Sequence, residues 1–233
     1  MYKQPQIYYL THDKLKEDGI FDLMVQDKQN SYYWSDDWSC EFYIELAKKG
    51  FISTTYDTKD GLIILPELEF DYGILDFENL HISKKVKKLL KERNYQFCID
   101  ENLDEVLDGI ATLHKDNWLK GNYVELVKKL HKLERDDFRL HSIELMCDGK
   151  VVSGEIGYET DNGVYTSLSG FSLKSKEYNN YGTLQLVLLA KHLQKRGFRF
   201  WNLGHPHMPY KLKLGAKVYK REEFLKRWSF YEV

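Results

Sequence analysis

The sequence predicts an α+β fold, with a small N-terminal domain over residues 1–79 and a larger domain over residues 80–233. The larger domain is expected to be a mostly antiparallel mixed sheet flanked by helices. Three observations predict this. Runs 138–147, 150–159 and 163–171 have strand length and apolar character, and Asp148-Gly149 and Asp161-Asn162-Gly163 between them are hairpin turn signals. Apolar residues at helical spacing precede and follow this meander. The charge balance also changes near residue 80: residues 1–80 carry 16 Asp/Glu against 7 Lys/Arg, and residues 81–100 carry 6 Lys/Arg against 2 acids.

Each element has a local reason. Ser35-Asp36-Asp37 predicts a helix start, because short polar side chains cap free backbone N–H groups. Trp38, Phe42 and Leu46 then share one helical face, and Gly50 suits the C-terminal cap. Leu62–Leu65 reads as a short strand before Pro66, and Ile74–Phe77 as another. Ser83 caps a lysine-rich helix, and Tyr95, Phe97 and Ile99 alternate as a strand. Leu103, Val106, Leu107, Ile110 and Leu113 mark one helix; Tyr123, Leu126, Val127, Leu130 and Leu133 mark a second. After the meander come a helix over Gly182–Arg196, a buried strand over Phe198–Leu203, a strand over Lys217–Tyr219 and a short helix over Glu222–Trp228. The first 30 residues are polar and mixed and give no firm pattern.

Composition excludes several classes. With 233 residues, 42% hydrophobic and 15% aromatic, the chain can bury a core, and general disorder is excluded. No run reaches the roughly 18 apolar residues of a membrane span, and the first residues lack the apolar stretch of a signal peptide. Cys40, Cys98 and Cys147 are few, odd in number and far apart, so a disulfide scaffold or a zinc site is not expected and a cytoplasmic location is. The net charge of −2 hides a second basic stretch, residues 191–227, with 11 Lys/Arg against 2 acids. Such runs are either solvated helix faces or an anion-binding surface.

Several short strings, in order, resemble the bacterial leucyl/phenylalanyl-tRNA–protein transferases. They are Leu80-His81-Ile82-Ser83 with its basic helix, Asn117-Trp118, His141-Ser142-Ile143-Glu144, Gly149 to Gly154, Gly170-Phe171-Ser172, Leu214-Gly215-Ala216 and Arg221-Glu222-Glu223-Phe224. Upstream, Asp36-Asp37-Trp38-Ser39 to Lys49-Gly50-Phe51 looks like the family's first helix. The resemblance implies a Gcn5-related N-acetyltransferase-like second domain. It implies transfer of leucine or phenylalanine from charged tRNA to the N-terminal amine of proteins that begin with Arg or Lys, leading to N-end-rule degradation. It implies no metal or nucleotide cofactor, because the ester is already activated. The partners would be an aminoacyl-tRNA and an acceptor protein or peptide, with no membrane.

The resemblance also implies site residues. Lys84 and Lys88 stand where the family has tRNA-binding arginines; with Lys85 they offer charge along one helix but not the arginine fork. Lys211 and Lys213 could reach the acceptor stem. Trp118 matches a tryptophan that holds the terminal adenosine, and is otherwise a core residue. The strand 153–158 and Phe171 would form the aminoacyl pocket, and Tyr165, Leu168 and Trp201 are further candidate substrate-binding residues. Glu155 stands where the family has a methionine. It either selects a polar or cationic aminoacyl group, or faces solvent after a one-residue register slip. A family glutamate falls on Leu168. A family aspartate and glutamine fall near Asn202 and Gly204, which puts a family-style proton relay in doubt without abolishing aminoacyl transfer in principle. Asn202 and Ser172 would orient the amine, and His205 is a candidate base or else a loop histidine bonded to backbone. Only Gly182 fits a pyrophosphate loop, so acetyl-CoA ranks below aminoacyl-tRNA as donor. Two other readings stay open: a divergent transferase with another donor or acceptor, and a tRNA-binding relative without catalysis.

Overall fold

The structure is a computed structural model and describes residues 7–114 and 117–229. In chain order the elements are β1 (Tyr8–Tyr9), α1 (His12–Lys16), α2 (Ile20–Gln26), β2 (Tyr33–Trp34), α3 (Cys40–Lys48), β3 (Ile52–Thr58), β4 (Gly61–Glu67), β5 (Asp71–Leu75), α4 (Lys84–Glu92) and β6 (Gln96–Ile99). They continue with α5 (Leu103–Leu113), α6 (Asn122–His131), β7 (Phe138–Cys147), β8 (Lys150–Thr160), β9 (Val164–Ser172), α7 (Tyr181–Lys195), β10 (Phe200–Asn202), α8 (Pro209–Leu214), β11 (Lys217–Lys220) and α9 (Arg221–Trp228).

The chain forms two compact units. The first takes residues up to Tyr72, Trp118–Leu133 and the chain from Tyr219; the second takes Gly73–Asn117 and Glu134–Val218. The sequence placed one break at 79/80 and gave no sign that 118–133 and the chain from 219 join the first unit.

In the first unit, α3 begins at Ser39, whose hydroxyl accepts from the Phe42 N–H at 3.3 Å. The helix therefore starts later than Ser35-Asp36-Asp37 suggested. Ser35 is instead drawn to β4, where it exchanges two backbone hydrogen bonds with Ile64. Tyr72 stacks on Phe224 with centroids 3.7 Å apart, and the Tyr123 hydroxyl donates to the Ser53 carbonyl at 2.8 Å. The Arg221 guanidinium is buried among backbone carbonyls. It donates to Glu69 O at 3.1 Å, Met24 O at 3.0 Å, Asp27 O at 2.6 Å and Asn30 O at 3.3 Å, and also to Leu68 O.

The main sheet has seven strands in the order β11-β5-β10-β9-β8-β7-β6. The meander β7-β8-β9 is antiparallel as expected, and Asp148 and Gly149 both take positive φ in its first turn. β10 is parallel to β9 and antiparallel to β5. In the second unit α5 packs on one face of β8 and α7 on the other, so almost every residue of β8 is buried. Gly154 shows why the α5 face packs tightly, since a Cβ there would lie 2.9 Å from Val106 and 3.1 Å from the Phe171 ring. Leu184, Val187 and Leu193 of α7 meet Ile143, Leu145, Tyr165 and Trp201 on the other face.

Candidate functional site in a forked sheet

The site begins with a parting of strands. β10 pairs with β9 at Phe200↔Val164, Trp201↔Tyr165 and Asn202↔Thr166. Beyond that point β9 continues to Ser172 alongside β8, while Leu203 and Gly204 bond to Gly73 beside β5 at 2.8 and 2.7 Å. A bulge helps turn β9 away: Gly157 pairs with Ser167 and Ile156 with Ser169, which leaves Leu168 as the extra residue.

At the base of this fork sits Glu155, 4% exposed. Its Oε1 accepts from the Ser167 hydroxyl at 2.8 Å and the Tyr165 hydroxyl at 3.3 Å, and its Oε2 accepts from Gln185 Nε2 at 3.3 Å. Trp201 Nε1 donates to Ser167 Oγ at 2.9 Å, and Ser153 Oγ donates to Gln185 Oε1 at 2.8 Å. Burial pushes the Glu155 carboxyl up to about 7, against the pull of these three donors and the Lys211 ammonium. Gly157 makes this arrangement possible, because a Cβ there would lie 2.3 Å from the Tyr165 hydroxyl.

A second polar chain crosses the same unit. His141 Nδ1 lies 2.7 Å from Asp100, its Nε2 lies 3.5 Å from Glu159, and Glu159 lies 3.0 Å from Arg196. Burial disfavours the His141 imidazolium, but Asp100 and Glu159 outweigh it and raise the pKa. Burial likewise pushes Glu159 up, yet His141 and Arg196 hold it below its ordinary value. Beside Arg196 a cavity of about 220 Å³ is lined by charges of both signs, among them Arg135, Arg139 and Asp161.

Residues 74–229 match the model of a family described as leucyl/phenylalanyl-tRNA protein transferase. The chain belongs to this family. A leucyl/phenylalanyl-tRNA–protein transferase of Paracoccus denitrificans is 24% identical over 155 residues, covering 66% of this chain and 68% of that protein. One from Maridesulfovibrio salexigens is 29% identical over 157 residues, covering 65% and 61%. One from Shewanella piezotolerans is 27% identical over 152 residues, covering 63% and 59%. The chain thus spans about three fifths to two thirds of the length of these relatives. Among solved structures, FemX is similar with a TM-score of 0.50 at 10% identity, covering 94% of this chain and 80% of FemX. That likeness concerns the fold alone, a mostly antiparallel mixed sheet flanked by helices, as the sequence predicted.

The structure sorts the residues that the transferase family pointed to. Glu155, Tyr165 and Trp201 come together on the α7 face of the sheet. Phe171 does not join them. It pairs with Gly154 on the α5 face, and a Cβ on Gly109 would lie 2.5 Å from its ring. A single pocket of Glu155 and Phe171 is therefore corrected, because alternate residues of β8 point to opposite faces. Glu155 is not turned to solvent either, since both faces of β8 are covered. Leu168 is half-buried at the bulge.

Asn202 is fully buried. Its Oδ1 accepts from the Gly204 N–H at 2.9 Å and its Nδ2 donates to Thr166 Oγ1 at 3.3 Å, so the amide is committed to the fork's own geometry. Ser172 lies against Gly182 in the first turn of α7, where a Cβ would lie 3.0 Å from its hydroxyl. His205 is exposed in the loop after β10, and its Nδ1 accepts from the His207 N–H at 3.4 Å. Lys211 is a correction. It is buried, and its Nζ donates to His205 O at 2.6 Å and to Leu203 O, so it braces the loop and has no surface to offer a tRNA.

Lys84, Lys85 and Lys88 are exposed on α4, which Ser83 caps through the Val86 N–H at 3.3 Å, and Lys213 is exposed on α8. Lys88 also lies 3.5 Å from Glu92. Trp118 belongs to the first unit, half-buried and edge-on to Tyr123 with centroids 5.2 Å apart.

Two features escaped the sequence reading. Ser167 is one of three serines in β9, and its place beside Glu155 depends on the bulge at Leu168. The Asp100–His141–Glu159–Arg196 chain joins residues up to 96 positions apart, and no local spacing signals it.

Proposed function

We propose that the chain is an aminoacyltransferase that moves an amino acid from aminoacyl-tRNA to the N-terminal amine of a protein or peptide, in a cytoplasmic route that feeds N-end-rule degradation. The observation that carries this reading is the family match over residues 74–229, a stretch that contains both the exposed lysine helix α4 and the forked sheet. Lys84, Lys85 and Lys88, with Lys213, contribute charge for the acceptor stem, because phosphate contact needs charge more than sequence. Trp118 offers an indole for the terminal adenosine. The fork between β9 and β10 receives the aminoacyl ester and the attacking amine, Asn202 keeps the fork's shape, and Ser172 offers a hydroxyl on the α7 side. The ester needs no activation, so positioning supplies much of the acceleration.

Glu155 favours a second reading of specificity. A buried carboxyl near the expected aminoacyl pocket is poor company for a leucine side chain, which supports a polar aminoacyl group in place of leucine or phenylalanine. One assay addresses both. The protein is mixed with total tRNA charged with all amino acids and with peptides beginning with Arg, Lys, Asp or Ala, and mass spectrometry reads any added residue. Leucine or phenylalanine on the Arg or Lys peptides is the expected family result. A different added mass supports the second reading, and no addition to any peptide refutes aminoacyl transfer.

A further inference from the structure

Glu155 has an environment that a purely structural residue does not need. An apolar side chain would fill the same strand position without the desolvation cost of a buried ionisable group. Here three hydrogen-bond donors are committed to the carboxyl, from β9 and from α7. Two glycines leave room for it: a Cβ at Gly157 would strike the Tyr165 hydroxyl, and a Cβ at Gly170 would lie 2.8 Å from Glu155 Cβ. The best-placed donor, Ser167, is the first residue of β9 beyond the point where β10 leaves it. Trp201 Nε1 donates to the Ser167 oxygen, which fixes the direction of the hydroxyl proton toward Glu155. A hydroxyl oxygen has two lone pairs, so Ser167 keeps one for a further donor.

We propose that Glu155 is the proton acceptor for the attacking amine, working through the Ser167 hydroxyl at the mouth of the fork. The assignment rests on the aminoacyl-transfer reading. It gives this chain a carboxylate on β8 where the family carboxylates near Leu168 and Asn202 are missing.

The acceptor arrives as an ammonium ion. One of its N–H groups donates to the remaining lone pair of Ser167 Oγ. As Ser167 takes that proton it passes its own to Glu155 Oε1, so the carboxylate becomes a carboxylic acid and the ammonium becomes an amine. The amine lone pair then forms the C–N bond to the ester carbonyl carbon, and the C–O bond to the tRNA ribose breaks. A second proton of the amine goes to the departing ribose oxygen. Glu155 returns its proton to solvent, so each turnover makes one amide and one free ribose hydroxyl and releases one proton.

The titration of the site suits this task. An acceptor near 7 is substantially ionised at neutral pH and still basic enough to take a proton. The Tyr210 phenol is pushed up to about 12, by burial first and then by the Glu155 charge.

The test compares two acceptors with total charged tRNA as donor. One is an Arg-starting peptide, largely an ammonium ion at neutral pH. The other is a peptide of the same sequence that presents an acyl-hydrazide nitrogen, which is already neutral. With the ammonium acceptor the wild-type kcat should rise through an inflection near 7, and with the hydrazide it should be flat. Glu155→Gln and Ser167→Ala should each lose on the order of 10²-fold with the ammonium acceptor and far less with the hydrazide. Glu155→Asp should keep the inflection at reduced rate, and filter binding of tRNA should be unchanged in all three variants. Equal losses with both acceptors, or an inflection near 7 that survives Glu155→Gln beside the amine's own titration at about 8, would overturn the assignment while leaving aminoacyl transfer standing. A wild-type protein that transfers to neither acceptor would overturn the aminoacyl reading and this assignment with it. Should Glu155→Gln fail to fold, Ser167→Ala decides alone, because it leaves the carboxyl in place and removes only the relay.

Discussion

Replacing Glu155 with glutamine keeps the side-chain shape and removes the charge, so it isolates what a buried carboxylate costs this sheet. The carboxyl titrates at about 7 in the folded chain against an ordinary 4.5. A folded pKa above the unfolded one means that the folded state holds the proton more tightly. The corresponding stability is present at and below pH ~4.5 and is lost as pH rises through ~7. At 1.36 kcal/mol per unit, the difference is about 3 kcal/mol. Urea denaturation followed by tryptophan fluorescence, from roughly pH 5 to pH 8.5, measures it directly. The wild-type free energy of unfolding should fall by about 2.5 kcal/mol relative to Glu155→Gln across that range, since part of the effect is already lost at pH 5. Hydrogen-bond differences offset the two curves by a constant, and only the slope of their difference matters. A difference that stays constant with pH would refute the placement of Glu155 as a buried, titrating carboxyl.

Three other outcomes are expected. Lys84→Ala and Lys88→Ala should each weaken tRNA binding and lower the slope of log K against log salt by about 0.7–0.9, whereas Lys211→Ala should lower the melting temperature and leave that slope unchanged. Gly157→Ala should cost about 1–3 kcal/mol in a urea titration, because the new Cβ meets both the Tyr165 hydroxyl and the Thr166 carbonyl and something must move. Arg221→Met should cost about 3–5 kcal/mol by calorimetry, since it strips five carbonyls of their donor in a buried setting.

Where the sequence spoke through local chemistry, it was legible. Phe138–Cys147 was marked as a strand to its last residue, because Asp148-Gly149 can take the positive φ that the following turn requires. The helix from Leu103 to Leu113 followed from its apolar spacing. The start of α3 was harder to read, since Ser35, Asp36, Asp37 and Ser39 can all cap and only the pairing of Ser35 with β4 decides among them. Glu155 was ambiguous for a different reason. A carboxylate in a strand reads as a solvent face only when one face is exposed, and helices cover both faces of β8. Lys211 reads in the sequence as a surface charge for the acceptor stem, and Arg221 as one basic residue of the stretch 191–227, because the carbonyls that hold them come from other positions, for Arg221 up to 197 residues away.

Arg221 has a consequence for the order in which this protein can be made. Domains generally complete themselves from the N-terminus as a chain leaves the ribosome. Here the carbonyls of Met24, Asp27, Asn30, Leu68 and Glu69 wait for a guanidinium that is synthesised about 150 to 200 residues later. Tyr72 likewise waits for Phe224. The unit that begins first is therefore the one finished last, after all of Gly73–Val218 has emerged. A nascent chain halted before Tyr219 would carry every strand from β6 to β10 and still display an open, unsealed first unit to the quality-control proteases of the cell.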